Sequence, residues 1–200
     1  MSFHPLMMYD KRFHKSERKL VDEGEPFTFT PERRAQLDEI VTKYPPDQKR
    51  SAILAALYLV QDQLGYLTAN GMRHVAGILD MTPAEVEDVA TYYVMFYREP
   101  VGKYVLQVCR TLSCALMGAE RVTEALSEKL GIKVGETDKS GLFTLLEFEC
   151  LGACDRAPIV MVNNEHWHEM VKPEDVGKLV DDIKARGEKA FTGCHLEVER

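Results

Sequence analysis

The chain has 200 residues, 45% hydrophobic and 28% charged, which is enough for one or two domains with cores of their own, so a metal is not needed merely to hold a miniature fold together. A formal charge of −7 at pH 7 argues against binding a nucleic-acid backbone, which relies on clustered Lys and Arg. The most apolar run, 52–60, is far short of the roughly 20 residues a membrane span needs, and no charged-then-apolar leader opens the chain, so a cytoplasmic location is expected.

Residues 1–29 read as a polar N-terminal arm, basic over 11–19 and then acidic at Asp22, Glu23 and Glu25. Thr30 is placed to cap a helix with Pro31 at its first position, and Leu37, Ile40, Val41 and Tyr44 recur on one face until Pro45 and Pro46 stop it. A second helix is expected over 47–64, burying Ile53, Leu54, Leu57 and Val60 and ending at Gly65. A short third helix spans 69–79. Thr82-Pro83-Ala84-Glu85 is a capping box that starts a fourth helix carrying Val86, Val89, Ala90 and Tyr93. Together these four predict a helical bundle over 30–98.

From Tyr104 the period changes to short strands and helices, expected in the order strand, helix, three strands, helix. The first strand, 104–108, delivers Cys109, and a four-residue loop brings Cys114. A helix follows with Ala119, Val122, Leu126 and Leu130 inward and Gly131 as its cap. The strand 142–148 ends near Cys150, and Leu151-Gly152-Ala153 returns the chain to Cys154. A hairpin of 159–162 with 167–171 turns at Asn163-Asn164, and 173–185 forms the last helix. The fold class is therefore α+β, with a bundle over 30–98, a four-stranded sheet with flanking helices over 99–186 and a tail over 187–200.

Four of the five cysteines form two tight pairs, Cys109/Cys114 and Cys150/Cys154, each at the end of a predicted strand. In a reducing compartment such pairs bind metal or do redox work more often than they form permanent disulfides. Structural zinc commonly uses two-residue gaps, whereas the gaps here are four and three; wider loops suit an iron–sulfur cluster, in which the thiolates reach two iron atoms. Spacing alone leaves open a [2Fe–2S] cluster, a zinc ion, and a redox dithiol or plain buried cysteines. A dithiol catalyst prefers Cys-x-x-Cys at a helix start, which neither pair has.

Val89-Ala90-Thr91-Tyr92-Tyr93-Val94-Met95-Phe96, Pro100-Val101-Gly102-Lys103, Cys109-x4-Cys114 and Glu149-Cys150-Leu151-Gly152-Ala153-Cys154 occur in that order. Over about 30–186 this resembles the thioredoxin-like [2Fe–2S] ferredoxin subunit (NuoE type) of respiratory complex I, NADH:quinone oxidoreductase. The resemblance implies a helical bundle followed by a thioredoxin-like ferredoxin domain, and one [2Fe–2S] cluster on Cys109, Cys114, Cys150 and Cys154. It implies one-electron exchange with a partner flavoprotein subunit that binds FMN and NADH, alongside other peripheral-arm subunits, and a place at the inner membrane only through the parent complex. The same module resembles subunits of NAD-linked hydrogenases and formate dehydrogenases. The residues agree that hydride chemistry lies elsewhere: the chain has no GxGxxG turn after a strand, no P-loop and no nucleophile-and-base set, so no catalytic residue is assigned.

Other residues take plainer readings. Gly152, in a three-residue loop between two ligands, is expected to let the backbone approach the cluster, with an ordinary turn glycine as the alternative. Ala157-Pro158 is a candidate cis bond. His166 and His168 share a strand face and read as surface or partner-facing, since no third ligand is in sequence reach. Cys194-His195 reads as a free thiol in the tail. Tyr92, Tyr93, Phe96 and Tyr97 read as core, with one or two rings left at a junction or interface. Glu147, Glu149 and Asp155 beside the ligands would lower a cluster potential, and Arg110 and Arg156 would oppose them.

Overall fold

A computed structural model describes residues 26–191, so most of the N-terminal arm and the Cys194-His195 pair lie outside the described residues. The chain divides into two compact units after Pro100.

The first unit is helical. Thr30 accepts the N–H of Arg33 and Pro31 opens α1 (Pro31–Val41), as expected, but α1 ends at Val41, before the prolines. The expected single helix over 47–64 is instead a 3-10 segment, Pro46–Ala52, followed by α2 (Ile53–Leu64). Gln48, at φ −118° and ψ 20°, breaks the α-helical path behind the proline pair, leaving only the apolar stretch to form α-helix. Gly65, at φ +84°, ends α2. Thr68 accepts the N–H of Gly71 to start α3 (Ala69–Leu79), and Thr82 starts α4 (Pro83–Tyr92). Leu37, Leu57, Val60, Leu67, Val75, Val86 and Phe96 are fully buried in the shared core of this unit. Buried Gln61 ties down the chain beyond α4, accepting from Tyr97 N–H at 2.7 Å and donating to the Met95 carbonyl at 3.0 Å. Phe96 and Tyr97 are buried and Tyr93 is packed against the core, as expected, while Tyr92 is 79% exposed.

The capping box carries a pH dependence. Thr82 N–H donates to Glu85 Oε2 at 2.8 Å, Glu85 N–H donates to Thr82 Oγ1 at 3.3 Å, and Arg50 Nη2 donates to Glu85 Oε1 at 2.6 Å. The Thr82 N–H, followed by the Arg50 and Thr82 side chains, draws the Glu85 carboxyl down from 4.5 to about 2. The unfolded chain thus binds this proton more readily, so the stabilisation is complete above 4.5 and fades as pH falls toward about 2. Glu85→Gln is expected to lower the urea midpoint at pH 7 and to flatten its fall across that acid window. Equal acid sensitivity in both proteins would count against this.

The second unit holds a four-stranded sheet in the order β2-β1-β3-β4. β1 (Tyr104–Cys109) is buried along its whole length, as an interior strand must be, and pairs in parallel with β2 (Phe143–Phe148). Between them run α5 (Leu112–Leu116) and α6 (Ala119–Leu130), whose Val122 and Leu126 enter the core. β3 (Val160–Val162) pairs antiparallel with β1 and with β4 (His166–His168). Both Asn163 and Asn164 have positive φ, as this turn demands. Asn163 accepts Val105 N–H at 2.7 Å, and Asn164 N–H donates to the wholly buried Gln107 at 3.0 Å, so the turn is pinned to β1. β4 stops at His168, short of the expected 171, because Met170 adopts φ +49° and its N–H leaves the sheet for the Arg156 carbonyl. A 3-10 turn, Pro173–Asp175, leads into α7 (Val176–Arg186), which buries Val176, Val180 and Ile183.

Candidate metal centre

In the parallel pair, Cys109 lies opposite Phe148, so β1 and β2 leave the sheet at the same end. Cys109 is the last residue of β1, and Cys150 follows β2 by two residues. Cys114 is carried by α5 rather than by a loop, and this helix folds it into the core: Cys109 and Cys114 are each 2% exposed. Cys150 and Cys154 lie on an exposed loop with their Sγ atoms 3.4 Å apart. The candidate ligands thus lie as two pairs at the same end of the sheet. No group of three or more His, Cys, Asp or Glu side chains among the described residues is arranged to hold a metal ion.

Hydrogen-bond donors reach three of the four sulfurs. The Thr111 hydroxyl lies 3.2 Å from Cys109 Sγ, which also receives the N–H groups of Thr111 and Leu151. Ile159 N–H reaches Cys114, and Gly152 N–H and Thr111 reach Cys150. Burial pushes the Cys109 thiol up, but these bonds outweigh it and hold the group below the ordinary thiol range. Cys114 is pushed up to about 11, first by burial and then by its hydrogen bond to Cys109. Gly152 N–H and then Cys154 lower Cys150, and that same bond, with the charge of Cys150, raises Cys154. Each pair therefore holds one sulfur that favours the thiolate and one that favours the thiol. The charge on Cys109 also acts on Cys154, so the two pairs form one electrostatic site.

The two neighbouring arginines are engaged in ion pairs. Arg110 donates to Glu149 at 2.8 Å, and Arg156 lies 3.6 Å from Asp155 and 3.8 Å from Glu169. Two guanidinium groups thus face three carboxylates, so the expected opposition is only partial and acidic charge stays in excess beside the ligands.

Gly152 has φ +82°, and a Cβ there would meet no protein atom within 4 Å. Backbone conformation, not crowding by the protein, accounts for glycine at this position. The Ala157–Pro158 bond is cis. His166 stacks on Phe191 at 4.4 Å, and His168 meets the same ring edge-on at 6.1 Å, so both half-buried imidazoles pack against one aromatic side chain. Burial holds His168 below the ordinary imidazole range.

Thr111 and Trp167 are the residues bonded at the candidate site that sequence reasoning missed. Thr111 had a local signal, a hydroxyl two residues from a candidate ligand. Trp167, whose indole N–H donates to the Leu151 carbonyl at 3.0 Å, had none, being 16 residues away in sequence.

The sequence profile described as thioredoxin-like [2Fe–2S] ferredoxin matches residues 37–184. An NADH-quinone oxidoreductase subunit from Mycobacterium bovis is 41% identical over 178 residues, covering 87% of this chain and 69% of the relative. The Rickettsia felis protein of the same name is 42% identical over 157 residues, covering 78% of this chain and 93% of the relative. Among solved structures, NAD+-reducing [NiFe]-hydrogenase in the air-oxidized state superposes with a TM-score of 0.60 at 19% identity, over 69% of this chain and 24% of that one. At that identity the likeness speaks to fold alone. By profile and by identity across most of its length, this chain belongs to the thioredoxin-like [2Fe–2S] ferredoxin family.

Proposed function

We propose that the chain is the [2Fe–2S] electron-transfer subunit of an NADH:quinone oxidoreductase, with Cys109, Cys114, Cys150 and Cys154 as its four ligands. What supports this reading is the placing of two thiol pairs at one end of the sheet, with main-chain N–H groups directed at sulfur. The donor set fits a binuclear iron–sulfur group: four soft thiolates, with N–H donors that would offset the negative charge gathered on sulfur. When bound, the cluster supplies one-electron storage and transfer.

The chain's own residues hold, shield and bias the centre. Cys109 and Cys114, which are buried, and Cys150 and Cys154, which are exposed, are the residues that would hold the group. Thr111, Leu151, Gly152 and Ile159 stabilise anionic sulfur. Leu112, Leu116 and Met117, between 61% and 79% exposed around Cys114, support a partner surface at the centre. In this reading the partner is the flavoprotein subunit that binds FMN and NADH and performs the hydride chemistry, within a larger peripheral assembly. Residues 99–186 carry the electron-transfer site and 30–98 form the accompanying helical bundle. No helix among the described residues is long and apolar enough to cross a membrane, and attachment at the cytoplasmic side of the inner membrane is assigned to the parent complex.

The test is an anaerobic EPR spectrum of the purified chain before and after dithionite, with iron, sulfide and zinc measured on the same sample. An S = 1/2 signal on reduction, with iron and sulfide in equal amounts, is expected. Zinc with no signal would overturn the reading.

A further inference from the structure

We propose that Trp167 is a positioning residue for this centre: by holding the Leu151 carbonyl, its indole N–H orients and polarises the peptide group whose N–H donates to Cys150 Sγ. The inference rests on the ligand reading above. The Leu151 carbonyl and the Gly152 N–H are the two ends of one peptide unit. Trp167 Nε1 binds the oxygen end at 3.0 Å, and the Gly152 N–H end reaches Cys150. A donor on the oxygen strengthens the N–H as a donor on the other side, and it fixes the plane of the peptide. The loop needs such a hold, because Gly152 is exposed, lacks a side chain and sits at φ +82°, with nothing within 4 Å of where a Cβ would stand.

Trp167 is itself well anchored. It lies in β4 opposite Met161 and packs against the core of the unit. Further along, the same segment grips the other end of the cysteine loop, where Met170 N–H donates to the Arg156 carbonyl at 2.8 Å. Glu169 faces Arg156 at 3.8 Å. β4 and the residues that follow it thus clamp the loop on both sides of Cys154.

N–H bonds to sulfur favour the reduced, more negative cluster, so weakening one lowers its potential. Since at most one hydrogen bond's worth of stabilisation is lost, the equilibrium constant for one-electron reduction is expected to fall by up to about tenfold, a midpoint up to about 60 mV more negative. Trp167 is the only tryptophan in the chain, so a tryptophan isostere can be introduced at this position alone. The experiment is a dithionite titration of the full, cluster-loaded chain as wild type, as Trp167→Phe, and with β-(3-benzothienyl)alanine in place of tryptophan. The last keeps the ring shape and replaces the N–H with sulfur.

Both altered proteins are expected to keep their iron and sulfide, to titrate at a more negative potential and to show shifted g-values. An unchanged midpoint in the benzothienyl protein overturns the inference, because shape without the N–H would then suffice, and it does so even if Trp167→Phe shifts. A wild-type chain without iron and sulfide overturns the ligand reading itself, a different result from a loaded wild type with an insensitive potential.

Discussion

Replacing Cys109, Cys114, Cys150 or Cys154 with alanine, one at a time, is expected to cut the iron and sulfide of the purified chain by more than about tenfold, since even an outer-shell partner of a metal site is worth about that much. Each variant removes one of four thiolate donors and leaves no oxygen or nitrogen side chain in its place. The two pairs differ in what else is lost. Cys109 and Cys114 are buried, so alanine there also opens a small gap in the core, whereas Cys150 and Cys154 are exposed and their loss touches little but the site. Circular dichroism of the apo-proteins separates these effects, with the Cys150 and Cys154 variants expected to keep their fold. Cys194→Ser, whose position lies outside the described residues, serves as the control and is expected to load normally. Equal iron loss in all five variants would refute the ligand assignment.

Gly102→Ala is expected to destabilise the second unit by about 1–3 kcal/mol, the usual range for forcing atoms into filled space. A Cβ on Gly102 would lie 2.8 Å from the Phe143 carbonyl carbon and 2.9 Å from both the Leu142 carbonyl carbon and Phe143 N. These are backbone atoms at the start of β2, so no rotamer relieves the contact. The neighbouring bonds make movement costly: Gly102 N–H donates to Thr144 Oγ1 at 2.6 Å, and Tyr104 N–H donates to the Leu142 carbonyl at 2.8 Å. Thr144 is itself buried and paired with Thr137 at 2.7 Å. Urea unfolding followed by circular dichroism reads the effect, and a midpoint equal to wild type would contradict the close approach. Because β1 and β2 carry Cys109 and Cys150 at their far ends, a shifted pairing also makes loading less complete.

Much of this was legible locally. The capping box at Thr82 and Glu85, the proline openings and the glycine stop at Gly65 act over one turn of chain, where residue type and geometry are tightly linked. The succession of strands and helices along the chain and the Asn163-Asn164 turn followed from alternation and from the tolerance of asparagine for positive φ. The errors came where local rules compete. Behind Pro45 and Pro46 a 3-10 segment replaced the expected α-helical turns, and β4 ended early because Met170 found its hydrogen bond outside the sheet.

The sequence by itself determined the candidate donors, four cysteines in two pairs near two strand ends, in the company of motifs that place the chain in its family. Only the tertiary structure decided how those sulfurs are tuned. Main-chain N–H groups of Leu151, Gly152 and Ile159 reach the thiols, Arg110 and Glu149 neutralise each other across 39 residues, and Trp167 grips a loop 16 residues away. A backbone N–H is the same in almost every residue, so nothing in the sequence marks which ones a fold will turn toward sulfur. The close approach at Gly102 is likewise a property of two strands brought together, and a glycine read alone does not reveal what lies against it.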